Sequence, residues 1–254
     1  MKKLLLGAVT LFAVACAEKP IPNELDIQPE NIEFWEVCDA YTIYELNNFF
    51  YTEVDELVRE ALNCEDLYPF SSLLVTEYPY KDYEGKTQTV RVGGHVFAAA
   101  SKKNMAKINE YLALEEVQAK LEDLTNGEVL IAWSYKNTME NSRGGVYLLY
   151  ALQGNGGLFP AMDGSGIVEA KAVESMCGGF EVSMTMNRDA AVEWANLTEK
   201  NIGKPLAIVV DNVVYSVPNV MGRIDGGRSS ITGAFTKSEA EAFARALNHH
   251  ALNQ

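Results

Sequence analysis

The sequence predicts an α+β fold with mixed and antiparallel sheets and packed helices. Segments of period-two patterning alternate with segments of three- and four-residue spacing, and they do so without the regular βαβ interval of a parallel sheet. A tight hairpin signal, Asp211-Asn212 between two apolar runs, adds antiparallel pairing. The chain has 254 residues, 48% of them hydrophobic and 22% charged, which suits one globular domain or two small ones.

The elements follow in order. Residues 32–37, IEFWEV, are aromatic and β-branched and read as a strand. Tyr44, Leu46, Phe49, Phe50, Val54, Leu57, Val58, Ala61 and Leu62 then recur near helical spacing with acids between them. Residues 66–89 carry Tyr, Pro and Gly and are expected to be irregular. Residues 90–100 hold Gly93-Gly94 and a β-capable run, after which Ser101 is placed to cap a helix through Met105, Ile108, Tyr111 and Leu112. A short helix covers 114–124, and residues 129–135 and 146–152 are two strands of a hairpin or neighbour pair. Further strands are expected at 167–173 and 180–186. In the latter, Val182, Met184 and Met186 share one face. Asn187 is placed to cap a helix from Arg188 to about Ile202, with Ala191, Trp194, Ala195 and Thr198 on one side and Gly203 closing it. Strands at 206–210 and 213–217 flank the hairpin turn, 229–232 is the last strand, and Thr236 with Glu239 forms a capping box for a helix over 237–248.

The N-terminus carries its own signal. Lys2 and Lys3 precede an apolar run over 4–14 that ends Ala13-Val14-Ala15-Cys16, a signal peptide over residues 1–15. The run falls short of the about 20 residues of a spanning helix. The ending resembles a bacterial lipobox, which makes Cys16 a lipidation site. Ala13 stands where Leu is commoner, so ordinary cleavage after Ala15 is the alternative. Residues 16–30, rich in proline and acid, read as a tether, and ordered structure is expected over 31–254. Beyond Cys16 the cysteines are Cys38, Cys64 and Cys177. This odd number cannot close a disulfide framework. Cys38 and Cys64 either pair or stay as buried thiols.

Charge and inventory exclude several function classes. A formal charge of −14, from 35 acidic against 21 basic residues, repels nucleic acid, and no basic run is dense enough to follow a phosphate backbone. The histidines are His95 and the adjacent His249-His250, too few and too badly spaced for a metal site or a nucleophile-orienting triad. Gly154-x-Gly156-Gly157 and Gly226-Gly227 lack the Gly-Lys-Ser/Thr ending of a phosphate loop and read as turns. No catalytic residue, metal or cofactor is expected. Hydrolase chemistry remains only as an unsupported third class.

Residues 180–247 hold an ordered series of landmarks. They are Val182-Ser183-Met184-Thr185; Asn201-Ile202-Gly203-Lys204-Pro205-Leu206-Ala207-Ile208-Val209-Val210-Asp211; Tyr215-Ser216-Val217-Pro218; Ile224 before Gly226-Gly227; Ile231-Thr232-Gly233; and Phe235-Thr236 with Glu239-Ala240. This block resembles the first periplasmic domain, head plus base, of the SecD/SecDF protein-export subunit. Asn31 to Glu36 and Met105 to Leu114 resemble the variety found in the Bacteroidota, so the likeness runs over roughly 31–248. It implies a SecD head with a partial ferredoxin-like base. Such subunits carry membrane helices on both sides of this domain. With a leader in front and Gln254 just past the last helix, the expectation here is a stand-alone lipoprotein without the proton-driven motor. A base that lacks its opening strand and helix would leave a sheet edge for a partner strand, or for the tether, to cover.

The resemblance implies a non-catalytic, periplasm-facing protein that is anchored to a membrane through lipid. It would assist export by binding translocon subunits or translocating, unfolded polypeptide. An envelope scaffold or ligand-binding lipoprotein that keeps only the fold is the rival reading. Candidate polypeptide-binding residues are Tyr215, Val217, Val220, Met221 and Ile224, apolar side chains in a Pro- and Gly-bearing loop that ordinary turn chemistry would make polar; packing between subdomains is their other explanation. For the anchor, Cys16→Ser is expected to release the protein from membranes or leave the precursor uncleaved. Membrane fractionation tests this, and a Ser variant wholly in membranes at mature size would overturn lipidation.

Overall fold

A computed structural model describes residues 32–82, 84–139, 145–176 and 178–251. The signal peptide, the tether, Cys16, Asn31 and Cys177 lie outside the described residues. The chain runs β1 (Ile32–Val37), α1 (Ala40–Asn48), a π-turn (Phe49–Glu53), α2 (Val54–Leu62), a 3₁₀ turn (Ser71–Leu73), β2 (Glu77–Lys81), β3 (Thr87–Arg91) and β4 (Val96–Ala100). It continues through α3 (Lys102–Leu112), α4 (Glu115–Thr125), β5 (Val129–Trp133), β6 (Tyr147–Gln153), β7 (Met162–Asp163), β8 (Ile167–Glu174) and β9 (Phe180–Met186). The final elements are α5 (Arg188–Lys200), β10 (Leu206–Val210), β11 (Val213–Ser216), β12 (Arg228–Phe235) and α6 (Lys237–Ala251). The class is α+β, and every strand ladder is antiparallel.

The larger sheet runs β11-β10-β1-β6-β4, with β5 also on β6 and β7 on β1. Because side chains alternate across a strand, each strand divides its residues between two cores. Ile32 and Phe34 of β1 and Leu206, Ile208 and Val210 of β10 enter one core with α5 and α6. Val129 and Ile131 of β5 and Leu149 and Ala151 of β6 enter a second with α1 to α4. Trp35, Ala207, Val209, Leu130, Ala132, Tyr150 and Leu152 fill the opposite face. The sheet curls around that face until Ser134 bridges Val214 in parallel and Tyr135 N–H donates to the Val214 carbonyl at 2.8 Å.

A second sheet, β12-β9-β8, lies with α6 over the first core. The capping box forms as the sequence predicts: Glu239 accepts from Thr236 N–H at 2.7 Å and Glu239 N–H donates to Thr236 Oγ1 at 3.3 Å. Asn187 Oδ1 caps α5 by accepting from Ala190 N–H at 2.9 Å. Asp211 and Asn212 hold φ of 49° and 62°, the left-handed pair that a two-residue hairpin requires.

Three expectations are corrected. Residues 66–89 are not irregular throughout: β2 and β3 form a hairpin in register from Glu77↔Arg91 to Lys81↔Thr87, with Asp82 Oδ1 accepting from Glu84 and Lys86 N–H across its turn. Pro79 sits in that two-stranded ribbon, where an edge tolerates the missing donor. The first helical run is interrupted at Phe49–Glu53, where the wider turn lets the adjacent Phe49 and Phe50 both be buried and join Phe70 and Phe97 in an edge-to-face cluster. Ser101 stands at the N-cap of α3, but its side chain makes no capping bond. Cys38 and Cys64 are both free thiols.

Glu33 on β1 is half-buried, which raises its carboxyl above the ordinary 4.5; the Trp35 indole N–H opposes this at 2.8 Å, and the carboxylates of Asp163 and Asp211 add to it. The folded chain therefore holds a proton that the unfolded chain has released. Stability is lost as pH rises from 4.5 through the raised value. Glu33→Gln is expected to unfold at higher temperature than the parent near neutrality, with the difference shrinking as the pH is lowered toward 4.5. Calorimetric scans across that window check it.

Candidate functional site

The second half of the chain, together with Phe34 of β1, encloses an apolar cavity of about 440 Å³. Its floor is Phe34, Leu206 and Ile208 from the larger sheet, with Trp194 and Thr198 from α5. One wall is Ser229 to Thr232 of β12, and the other is the loop over 218–224. Phe34 and Trp194 meet edge to face with ring centroids 4.9 Å apart.

Backbone pairing shapes the loop. Beyond β11 the chain stays alongside the start of β10: Leu206 N–H donates to Pro218 O at 3.0 Å, Val220 N–H to Lys204 O at 2.9 Å, and Gly203 N–H to Val220 O at 2.8 Å. The fully buried Thr198 hydroxyl then receives Ile224 N–H at 3.0 Å and donates back to Trp194 O at 2.8 Å. Arg223 Nε pairs with Asp225 at 2.9 Å, and Nη1 contacts the Glu199 carboxylate. Gly227 leads into β12 at φ +68°; a Cβ there would lie 2.8 Å from that of Ala191, so only glycine lets the chain pass so close to α5.

The structure separates the residues singled out by sequence. Val220 is buried at 8% exposure in the core, and Ile224 is half-buried against it. Tyr215 stacks on Tyr135 at 4.2 Å and meets Phe243 edge to face at 5.0 Å, and burial raises its phenol above the ordinary 10.0. Val217 packs on the opposite face of the sheet. Met221 is 91% exposed at the lip of the cavity. Cavity and lip thus bring Val220, Met221 and Ile224 together, while Tyr215 and Val217 belong to neighbouring packing. Trp194 was legible only as a member of the α5 core face. That its Nε1, though buried, has no hydrogen-bond partner among the described residues leaves no trace in the sequence.

Residues 151–254, which hold the cavity lining apart from Phe34, match the family profile of the SecDF, P1 head subdomain. The protein translocase subunit SecD of Rhodothermus marinus is 38% identical over 159 residues, 63% of this chain and 24% of that protein. SecD of Sebaldella termitidis is 36% identical over 91 residues, 36% of this chain and 22% of that protein. The chain spans about a quarter or less of the length of these relatives. Against the crystal structure of SecDF in its super-membrane-facing form, 91% of this chain aligns to 30% of that chain at a TM-score of 0.35 and 19% identity.

A second cavity of about 620 Å³ mixes charged and polar side chains with apolar ones. Glu36 there receives Lys200 Nζ at 2.8 Å and Asn201 Nδ2 at 2.6 Å. The Cys38 thiol is pushed up to about 12 by burial and then by the Asp39 carboxylate, so it stays protonated and a poor nucleophile. His95 stacks on Tyr150, and burial lowers its pKa below the ordinary 6.5. Among the described residues no three His, Cys, Asp or Glu side chains converge as a metal site, and no helix is long and apolar enough to cross a membrane.

Exposure divides the loop energetically. Val220→Ala is expected to cost about 2 kcal/mol, because it removes a buried apolar side chain. Met221→Ala is expected to stay within about 0.5 kcal/mol. Urea midpoints of the two variants check this, and equal losses would show that Met221 packs inward.

Proposed function

We propose that this chain is a non-catalytic, periplasm-facing module of the cell envelope, anchored through lipid on Cys16. It assists protein export by holding apolar segments of translocating polypeptide. The observation that carries the proposal is the apolar cavity with an exposed methionine at its lip, set within the part of the chain that matches the SecDF head subdomain. Methionine is unbranched and polarisable, so it adapts to clients of varied shape. An exposed apolar side chain beside an apolar hollow contributes little to folding and is available for binding. The SecD relatives are protein translocase subunits, which makes translocon components the partners proposed for this chain.

The test is Met221→Ser, read by two measurements together. Binding of an unfolded apolar peptide should weaken by roughly tenfold, since burying a methionine contributes about 1.5–3 kcal/mol, while the melting temperature stays unchanged. Unchanged affinity at unchanged stability would sink the polypeptide-holding role in favour of a scaffold. Pull-down under mild detergent is expected to recover translocon subunits, and their consistent absence counts against the partner assignment.

A further inference from the structure

The small sheet β12-β9-β8 has two edges, and the protein treats them differently. At β8, Asn248 of α6 turns its side-chain amide on the strand: Ala170 N–H donates to Asn248 Oδ1 at 2.7 Å, and Asn248 Nδ2 donates to Ala170 O at 2.8 Å. The side chain stands in for a neighbouring strand. At β12 such cover is confined to one end, at Thr232. Met186 N–H donates to Gly227 O at 2.7 Å, and the register continues as Arg228↔Thr185, Ser229↔Met184, Ser230↔Ser183 and Ile231↔Val182. In an antiparallel ladder the paired residues alternate, so Gly227, Ser229 and Ile231 face β9 while Arg228, Ser230 and Thr232 turn their backbone groups outward. Thr232 O accepts from Ser216 Oγ at 2.8 Å. Ser230, next along the same edge, is exposed, and its outward N–H and C=O have no protein partner among the described residues.

That free edge is a wall of the apolar cavity, and one residue of the cavity floor has an unmatched group of its own. Trp194 is 6% exposed, lines the cavity, and its Nε1 lacks an acceptor. A buried N–H without a partner costs about 1–3 kcal/mol. The other two tryptophans are satisfied: Trp35 donates to Glu33 at 2.8 Å and Trp133 to Asn109 at 2.9 Å. An apolar hollow floored by the Trp194 ring and an uncovered stretch of strand edge therefore converge in one place.

We propose that an extended polypeptide segment adds to the free edge of β12 as a further strand, pairs with Ser230 N–H and C=O, and places a bulky apolar side chain in the cavity. The segment lies over the Trp194 ring, which lines the cavity floor. An acyl chain would fill the hollow equally well, but it has no donor for Ser230 O. Strand addition draws affinity from main-chain bonds and selectivity from alternate side chains, which suits clients of unrelated sequence. The inference rests on the polypeptide-holding role proposed above and specifies how the segment is held.

The probe is a lysine-flanked octapeptide alternating leucine with threonine, titrated into the full chain. Two twins are N-methylated, one at the leucine amides and one at the threonine amides, so each loses the donors of one edge while keeping every side chain and charge. The parent peptide should bind and move the indole N–H resonance that disappears in Trp194→Phe, leaving those of Trp35 and Trp133 in place. One twin should bind at least about tenfold more weakly and the other close to the parent, because an added strand pairs through one edge only. Ser230→Pro removes the outward N–H and leaves the β9 ladder intact; it should weaken the parent peptide comparably at an unchanged urea midpoint. If Ser230→Pro does not fold, the twins decide alone. Twins that both match the parent would overturn strand addition while leaving the polypeptide-holding role standing. No binding by any of the peptides would overturn that role as well. Dodecanoate occupying the site and excluding the peptide would assign the cavity to an acyl chain and overturn the proposal.

Discussion

The β1–β10 ladder is the constraint on which the rest depends. Five consecutive pairs, Ile32↔Val210 to Glu36↔Leu206, fix which residues face which core, because a slip of one position would exchange the faces of both strands at once. In the observed register Phe34 and Ile208 lie under α5 and α6, and Trp35, Ala207 and Val209 enter the curled face. The floor of the apolar cavity is therefore set by the same pairing that builds the core. Lys200 and Asn201, at the end of α5, fasten to Glu36 of β1 and hold the helix bearing Trp194 and Thr198 against that strand.

Much of this was legible in the sequence, for local reasons. β1 and β9 fall where period-two patterning places them, and the capping box at Thr236 and Glu239 and the cap at Asn187 are short-range devices whose partners lie three residues apart. The Asp211-Asn212 turn is equally local. What escaped reading depended on contacts distant in sequence. The hairpin β2–β3 has an almost wholly exposed second strand, so its apolar pattern is weak and Pro79 argues against it. The π-turn answers a need to bury Phe49 and Phe50 against Phe70 and Phe97, and the helical spacing around it does not reveal that need.

The candidate site was half legible for the same reason. The loop over 217–227 stood out because it is apolar where turn chemistry is usually polar. Its composition could not tell Val220, pinned inward by paired backbone bonds to Lys204 and Gly203, from Met221 beside it, which projects outward. Successive residues on an extended segment point to opposite sides, and it is the pairing with the start of β10 that decides which side is which. The likeness to SecD covers the cavity walls without recording that division.

The closure of the larger sheet has a mechanical consequence. The ring is completed between β5 and β11 by the Ser134–Val214 bridge and the Tyr135 N–H bond, whereas β5–β6 and β1–β10 are each joined over five residue pairs. The β1–β6 join has only two residue pairs, so a closed loop of such unequal links is expected to part first at these short joins while the five-pair ladders hold. β11 is thus a latch strand between the β5–β6 and β1–β10 ladders. The latch strand is the one that continues into the loop over the cavity, so a pull on that loop is borne first by the seam.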